Sequence, residues 1–302
     1  MISSNKSLIF ATWVYSRDAK AKVRTLIDSI HAFAGPLSEC PIWVFEAEPQ
    51  EASCQDLQNE NVEVLPLELP HTVKPYAFTR KVFACYQAEL RAGQSVHSLV
   101  YLDPCCLIIN PPLLFDLGQD YDAAIRPVHI RNVGSPADEP VDAYWEKIYA
   151  TLGVEDVGLR VESFVDRQQV RAYFNSAAFA VNPSWGLCQR WFQNFEILVN
   201  DDDFQAVACR DEWHQIFLHQ AVLSALIAAE LAPERLRLLP PDYGYPYNLH
   251  FDVTEERKAR ALNDLACAIY EDRSIDPQVV DDIEIHEPLK SWLNAHIVST
   301  QE

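Results

Sequence analysis

The sequence predicts an α/β fold: one domain, with a mixed, mostly parallel central sheet flanked by helices. Three observations predict it. Strand-like apolar runs alternate with helix-length segments along the chain. One of those runs, "SLVYLD" (98–103), is apolar almost throughout, the pattern of a strand covered on both faces. No Pro/Gly/Ser-rich linker divides the 302 residues, a length that can bury one large core.

The elements follow in order. "SLIFATWVYS" (7–16) reads as a first core strand. In the next segment Val23, Leu26, Ile27, Ile30 and Phe33 recur at helical spacing until Gly35-Pro36 stops it. "PIWVFEAE" (41–48) and "NVEVLPLE" (61–68) are strands, and 76–93 is a helix that exits at Gly93. "YDAAIRPV" (121–128) and "AYFNSAAFAVNP" (172–183) supply further strands. The stretch 129–170 reads as an insertion with one helix near 141–152, and helices follow at about 184–199 and 212–231. Residues 254–272 are expected to be helical, and "DIEIHEP" (282–288) to be extended. The acidic "VNDDDF" (199–204) reads as a solvated loop.

Composition bounds the partners. Hydrophobic residues make up 49% of the chain and charged ones 23%, an ordinary globular balance. Lys and Arg number 24 against 44 Asp and Glu, a formal charge of -20. So acidic a chain lacks the basic footprint of a nucleic-acid binder and has no attraction for anionic lipid. The apolar run Leu8–Tyr15 is too short for a signal h-region or a bilayer span, so a cytoplasmic protein without membrane insertion is expected. The eight cysteines form no C-x-x-C pair and are expected to be reduced core thiols. A homo-oligomer is compatible with all of this.

No glycine precedes Gly35, which excludes a dinucleotide fingerprint after the first strand. G-x-x-x-x-G-K-[ST], G-x-S-x-G and H-E-x-x-H are also absent. What remains is polar residues at strand ends, where open α/β sheets bind ligands. Asp103 closes an apolar strand, and its alternative role is to cap a local turn. Asn175 and Ser176 interrupt another strand, where they either bind ligand or satisfy nearby backbone. His286 and Lys290 lie near the chain end and could equally be a solvated loop. Together, Asp103 and His286 offer oxygen and nitrogen ligands for a divalent metal, with Lys290 for a phosphate oxygen. That is what departure of a diphosphate requires.

In this order the segments resemble the nucleotide-diphospho-sugar transferases of the GT-A fold, in the branch of glycogenin-like and lipopolysaccharide galactosyl- and glucosyltransferases. Thr12 and Tyr15 look like that family's nucleoside-pocket residues. "LDPC" resembles its D-x-D, with Asp103 first and Cys105 in place of the second aspartate. Asn110-Pro111 matches the "NP" that follows, and "FNSAAFAVNP" matches its "FNSG" strand with Ala177 for glycine. His219-Gln220 stands for its "DQ", Tyr247-Asn248 for its "YN", and "HEPLKSW" approximates the closing H…G…K-P-W. Arg80 or Lys81 falls where a basic residue faces the diphosphate.

The resemblance runs from about residue 8 to 293. It implies a UDP-type sugar donor bound through Mn²⁺ or Mg²⁺ and transfer to a hydroxyl acceptor, with retention in the close branch. Asp103 and His286 would hold metal or diphosphate. Lys290, Gln220 and Asn175 would carry catalysis, and Thr12, Tyr15, Arg80, Lys81, Cys105 and Asn248 would complete the donor site. The altered acids leave two alternatives: metal-free binding through Lys290, Lys81 or Arg80, and a non-catalytic binding or scaffolding protein that keeps the pocket. A nucleotidyltransferase is a weaker third, because its glycine-rich entry loop is missing.

Overall fold

The structure, a computed structural model, describes residues 8–50, 52–271 and 283–297. Its centre is a seven-stranded sheet. Strand β1 (Leu8–Val14) is entirely buried and pairs in parallel with β2 (Ile42–Glu46), which pairs in parallel with β3 (Val62–Pro66). On its other side β1 pairs in parallel with β4 (Ser98–Leu102). Strand β5 (Cys106–Ile108) leaves this sheet, and β6 (Ala123–Ile125) returns to it.

Helix α1 (Arg17–Phe33) follows β1, and the Ser16 hydroxyl caps it by accepting from the Ala19 N–H at 3.1 Å. Helix α2 (Thr79–Ala92) precedes β4 and ends at Gly93, whose φ of +52° suits a residue without Cβ. Strand alternation divides the core. Leu8, Phe10 and Val14 face the α1 side, while Ile9, Ala11 and Trp13 face the side packed by α2.

The segment 129–170 contains helix α3 (Ala143–Thr151) and a hairpin of β7 (Arg160–Glu162) with β8 (Gln169–Arg171). It is built into the core: Trp145, Ile148 and Tyr149 are wholly buried in the same cluster as Trp13. Strand β9 (Ala178–Val181) then runs antiparallel to both β4 and β6, alone in reversing direction. Helix α4 (Leu187–Val199) packs on α2, and the buried Glu89 carboxylate of α2 accepts from the Cys188 and Gln189 N–H groups at its start, both at 2.9 Å.

The aspartate run is helical rather than a loop. Asp201 caps α5 (Asp202–Val207) by accepting from the Phe204 N–H, and Asp202 and Asp203 occupy the first turn, where carboxylates favour the helix dipole. Helix α6 (Glu212–Glu230) is buried without a break from Leu218 to Ile227, so it forms a core element. Strand β10 (Leu236–Leu238) pairs with β6 and completes the order β10-β6-β9-β4-β1-β2-β3.

A second sheet orders β11 (Tyr245–Pro246), β12 (Cys267–Ile269) and β5. Here the helix expected over 254–272 is replaced by turns, one 3-10 turn at Leu262–Asp264, and β12. The physical reason is a period of two: Cys267 and Ile269 enter the cluster beneath α1, whereas Ala268 and Tyr270 enter a third cluster. Glu284 in the extended tail bridges to Ala261, and helix α7 (Leu289–Ile297) closes the chain with Leu289 and Leu293 buried. None of the eight cysteines is in a disulfide. Among the described residues, no helix is long and apolar enough to cross a membrane.

Candidate active site

Asp103 sits where its strand predicts, one residue past β4. Its N–H donates to the Ala177 carbonyl at 2.7 Å, which extends the ladder with β9 and fixes the carboxylate at the carboxyl edge of the sheet. There it meets a cation supplied by the protein. Lys81 of α2 is 1% exposed and places its Nζ 2.6 Å from Asp103 Oδ2, while Trp13 Nε1 donates to Oδ1 at 3.4 Å. Burial raises the Asp103 pKa, and Lys81 and then Trp13 pull against that rise.

The network continues inward. Lys81 also donates to Ser176 Oγ at 3.1 Å. The His219 Nδ1 lies 2.8 Å from the Ile216 carbonyl, which can only accept, so that nitrogen carries the proton. The bare Nε2 then accepts from the Ser176 hydroxyl at 3.1 Å. Burial, and then the Lys81 charge, hold His219 well below the ordinary histidine range, so it is neutral. The Ser176 N–H donates to Gln220 Oε1 at 3.2 Å. Asp103, Lys81, Ser176, His219 and Gln220 therefore form one hydrogen-bonded polar seam that links α2, the end of β4, the start of β9 and α6.

Two cavities border this seam: Trp13, which donates to Asp103, lines one, and Gln220 lines the other. One, of about 440 Å³, is lined by Trp13, Tyr15, His71, Tyr76, Phe78 and Arg80, among others. Trp13 and Tyr15 stack with centroids 4.6 Å apart. Arg80 lies at its wall, 44% exposed and paired with Glu48. The second cavity, of about 210 Å³, includes Asn132, Asn175, Trp213, Gln220, Asn248 and Glu271 in its lining. Phe78, in the wall of the first, stacks at 4.2 Å on His219, the neighbour of Gln220 in the second. Four non-glycine residues among those described have positive φ, and three of them (Phe78, Asn132 and Glu271) line these cavities. Such backbone strain collects at functional sites.

The structure thus brings together Tyr15, Arg80, Lys81, Asp103, Asn175, Gln220 and Asn248. Lys81 rather than Arg80 reaches Asp103, and Arg80 faces solvent. Asn175 Oδ1 accepts from the Ala177 N–H at 2.8 Å, so the local-backbone reading of this residue also holds. Asn248 Nδ2 donates to Glu271 at 2.8 Å. Thr12 does not line either cavity; it is 1% exposed and lies on the Phe10 and Val14 side of β1. Trp13 takes that place, and strand alternation could have found it, since it shares a face with Tyr15. Phe78, Trp213 and Glu271 carry no motif signal, whereas Ser176 stands in the same motif as Asn175.

His286 and Lys290 are elsewhere. The His286 N–H donates to Asn263 Oδ1 at 2.8 Å, and Asn110 Nδ2 donates to the Asn263 carbonyl at 2.6 Å, beyond the end of β5. Asp103 precedes the start of that strand, so the two expected metal ligands stand at its opposite ends. The His286 ring pairs with Glu284 at 3.1 Å, and Lys290 is exposed in the first turn of α7.

A hard divalent ion therefore does not fit these residues. Asp103 is engaged by Lys81, and the Cys105 thiol is pushed up to about 12 by burial and then by the charges of Asp103 and Glu271. A protonated thiol is no ligand for Mg²⁺ or Mn²⁺, which prefer oxygen. No cluster of three metal-ligating side chains occurs among the described residues.

With the geometry in place, comparisons with known proteins narrow the reading. A family model described as the Rhodobacterales glycosyltransferase domain matches residues 20–230, well over half the chain. No curated protein matches the sequence. Among solved structures, the galactosyltransferase LgtC in complex with donor and acceptor sugar analogues superposes with a TM-score of 0.50 at 15% identity, over 97% of this chain and 95% of that one. The LgtC active-site mutant Q189E gives 0.49 at 15% identity with the same coverage. At such identity the likeness is one of fold.

Proposed function

From the premise that the chain belongs to the Rhodobacterales glycosyltransferase domain family, we propose that it moves a hexosyl group from a nucleoside-diphospho-sugar, a UDP-sugar, to a hydroxyl acceptor. The observation that supports this best is the polar seam joining an aromatic cavity to an amide-lined one at the carboxyl ends of β1 and β4. A donor has that same bipartite chemistry, a flat base at one end and a polyol ring at the other. The base would stack on Trp13 and Tyr15. The sugar would meet the side-chain amides of Asn175 and Gln220. Oriented this way, the ring is held for attack by the acceptor oxygen as the bond to the diphosphate breaks.

Asp103 would hold Lys81 and Trp13 in place beneath the cleft, Lys81 in turn cancelling the Asp103 charge so that the floor does not repel a diphosphate, while Arg80 offers a cation at the rim. Neither role needs a divalent ion. Titration of the full chain with UDP in EDTA and in Mn²⁺ tests this, followed by turnover with UDP-glucose and UDP-galactose. Binding in EDTA and transfer or slow hydrolysis of the sugar are expected. In Asp103→Ala, donor binding and turnover should fall by at least about tenfold, ~1.4 kcal/mol. Absence of nucleotide binding would favour a scaffolding protein instead. The observation on that side is that His219, in place of an acid, is fully engaged in hydrogen bonds.

A further inference from the structure

A third cavity, of about 500 Å³, shares no lining residue with the two at the seam. Arg126, one residue past β6, forms part of its wall, together with Phe164, Leu238, Leu239 and the ion pair of Arg257 with Glu162. Three Lys or Arg side chains are buried among the described residues: Lys81, Arg126 and Arg171. Lys81 has Asp103 and Arg171 has Asp156. Arg126 has no carboxylate within ion-pair distance among the described residues, and Asp242 acts on it only from farther away.

The Arg126 guanidinium is only partly satisfied. All of its hydrogen bonds to described residues leave from Nη1, to the carbonyls of Pro241, Tyr243 and Gly244 at 3.2, 3.1 and 2.8 Å. Nε is buried without a partner. Burial pulls the pKa down to about 10, which leaves the group charged at neutral pH. A buried charge without a counter-ion is costly, and an anion entering the cavity would recover part of that cost.

The other charges at this wall are already matched. Arg257 pairs with Glu162, and Glu256 pairs with Arg167 at 2.8 Å, so Arg126 leaves the cavity one positive charge in excess. A single carboxylate balances it, whereas a phosphate dianion or a diphosphate would also meet Glu162 and Glu256. The guanidinium carbons of Arg126 and Arg257 lie 4.8 and 5.8 Å from the centroid of the Phe164 ring. Phe164, Leu238 and Leu239 therefore supply an apolar bed beside the charge. The volume falls within the ~300–1,000 Å³ of small-molecule sites.

We propose that this cavity binds an organic monocarboxylate, with its carboxylate against the Arg126 guanidinium and its apolar body on Phe164 and Leu239. The site is separate from the sugar-nucleotide cleft, and the claim does not depend on the donor reading.

Calorimetric titration of the full chain with benzoate, phenylacetate and hexanoate tests this. Benzyl alcohol, benzylamine and inorganic phosphate serve as controls, and a parallel series contains excess UDP. The carboxylates should bind at least about tenfold more tightly than the controls, with the same affinity in the presence of UDP. Arg126→Met removes the charge but also strips three carbonyls of their donor, so a second variant carries the test if that one fails to fold. Leu238→Trp, at a half-exposed position, fills the cavity without removing a buried polar group, and should weaken the carboxylates at least about tenfold while the urea midpoint stays the same. Carboxylate binding confined to the wild type and indifferent to UDP upholds the proposal, whether or not UDP itself binds. Equal binding in Leu238→Trp, benzyl alcohol or phosphate binding as tightly as benzoate, competition by UDP, or no carboxylate binding at millimolar concentration would each overturn it.

Discussion

The two cavities share one seam but differ in nearly every other respect. The larger is aromatic, rimmed by Arg80 and His71, and shaped largely by the loop before α2. The smaller is lined by several side-chain amides, has no Arg or Lys among the described residues, and is built on α6 and on strained positions of the backbone. The difference matches the two-part donor proposed above. Charge and stacking capacity lie where a nucleoside diphosphate would lie, and neutral hydrogen-bonding capacity lies where a sugar would lie. Lys81 keeps its positive charge paired with the negative charge of Asp103, both beneath the floor.

Breaking the seam should have the largest effect. Lys81→Ala leaves the mostly buried Asp103 carboxylate without its cation and should cost ~3–5 kcal/mol of stability, read as a lower urea midpoint. The double change Lys81→Met with Asp103→Leu should recover most of that loss, because two apolar groups replace a buried pair, yet nucleotide binding should stay weak. Recovery of both would mean that the pair serves the fold alone.

Acidification probes the smaller cavity and the seam. His129 and His219 are buried and neutral, with pKa values below the ~6.5 of an unfolded chain. As pH falls through ~6.5 the unfolded state takes up protons that the folded state refuses, so stability should drop, by at most ~1.4 kcal/mol per pH unit for each histidine. Chemical denaturation at a series of pH values between 7.5 and 5 measures this, and His219→Gln should flatten the slope. A slope unchanged in that variant would place the titration elsewhere.

A finer division comes from one substitution in each cavity. Trp13→Ala should weaken UDP binding about tenfold, the worth of one lost stacking face, with little change in response to sugars. Asn248→Ala should do the reverse by a few-fold. The smallest expected effect, and the sharpest in kind, is from Cys105→Asp. It adds a carboxylate beside Asp103 and should make UDP binding respond to Mn²⁺ by several-fold, where the native protein responds little. An equal response in both would show that Cys105 is not what sets metal dependence.

The two cavities also differed in how far the sequence disclosed them. Asn175, Gln220 and Asn248 come from three distant motifs and line one cavity: Asn175 just precedes β9, Gln220 sits midway along α6, and Asn248 lies in a 3-10 turn. The larger cavity is less legible. Thr12 is buried on the other face of β1 from Trp13 and Tyr15, and the loop contributing His71 and Tyr76 has no periodicity to read. The partner of Asp103 was ambiguous between Arg80 and Lys81, since adjacent helical residues diverge by 100° and one residue of register decides which is buried. His286 and Lys290 entered through motif likeness alone, and tertiary placement set them beyond the far end of β5. The helix misread over 254–272 has the same origin: alternation over five residues was outweighed by the helix-forming charged residues before it.

Glu89 gives the cleft a property of its own. It lies eight residues after Lys81 on α2, about 12 Å along the axis, and receives the first N–H groups of α4. A carboxylate locked at one end of the helix and an ammonium locked near the other act as two dowels. Any slide or roll of α2 would uncover both at once, so the floor of the cleft is set when the chain folds. A donor of the kind proposed would meet a rigid bed there.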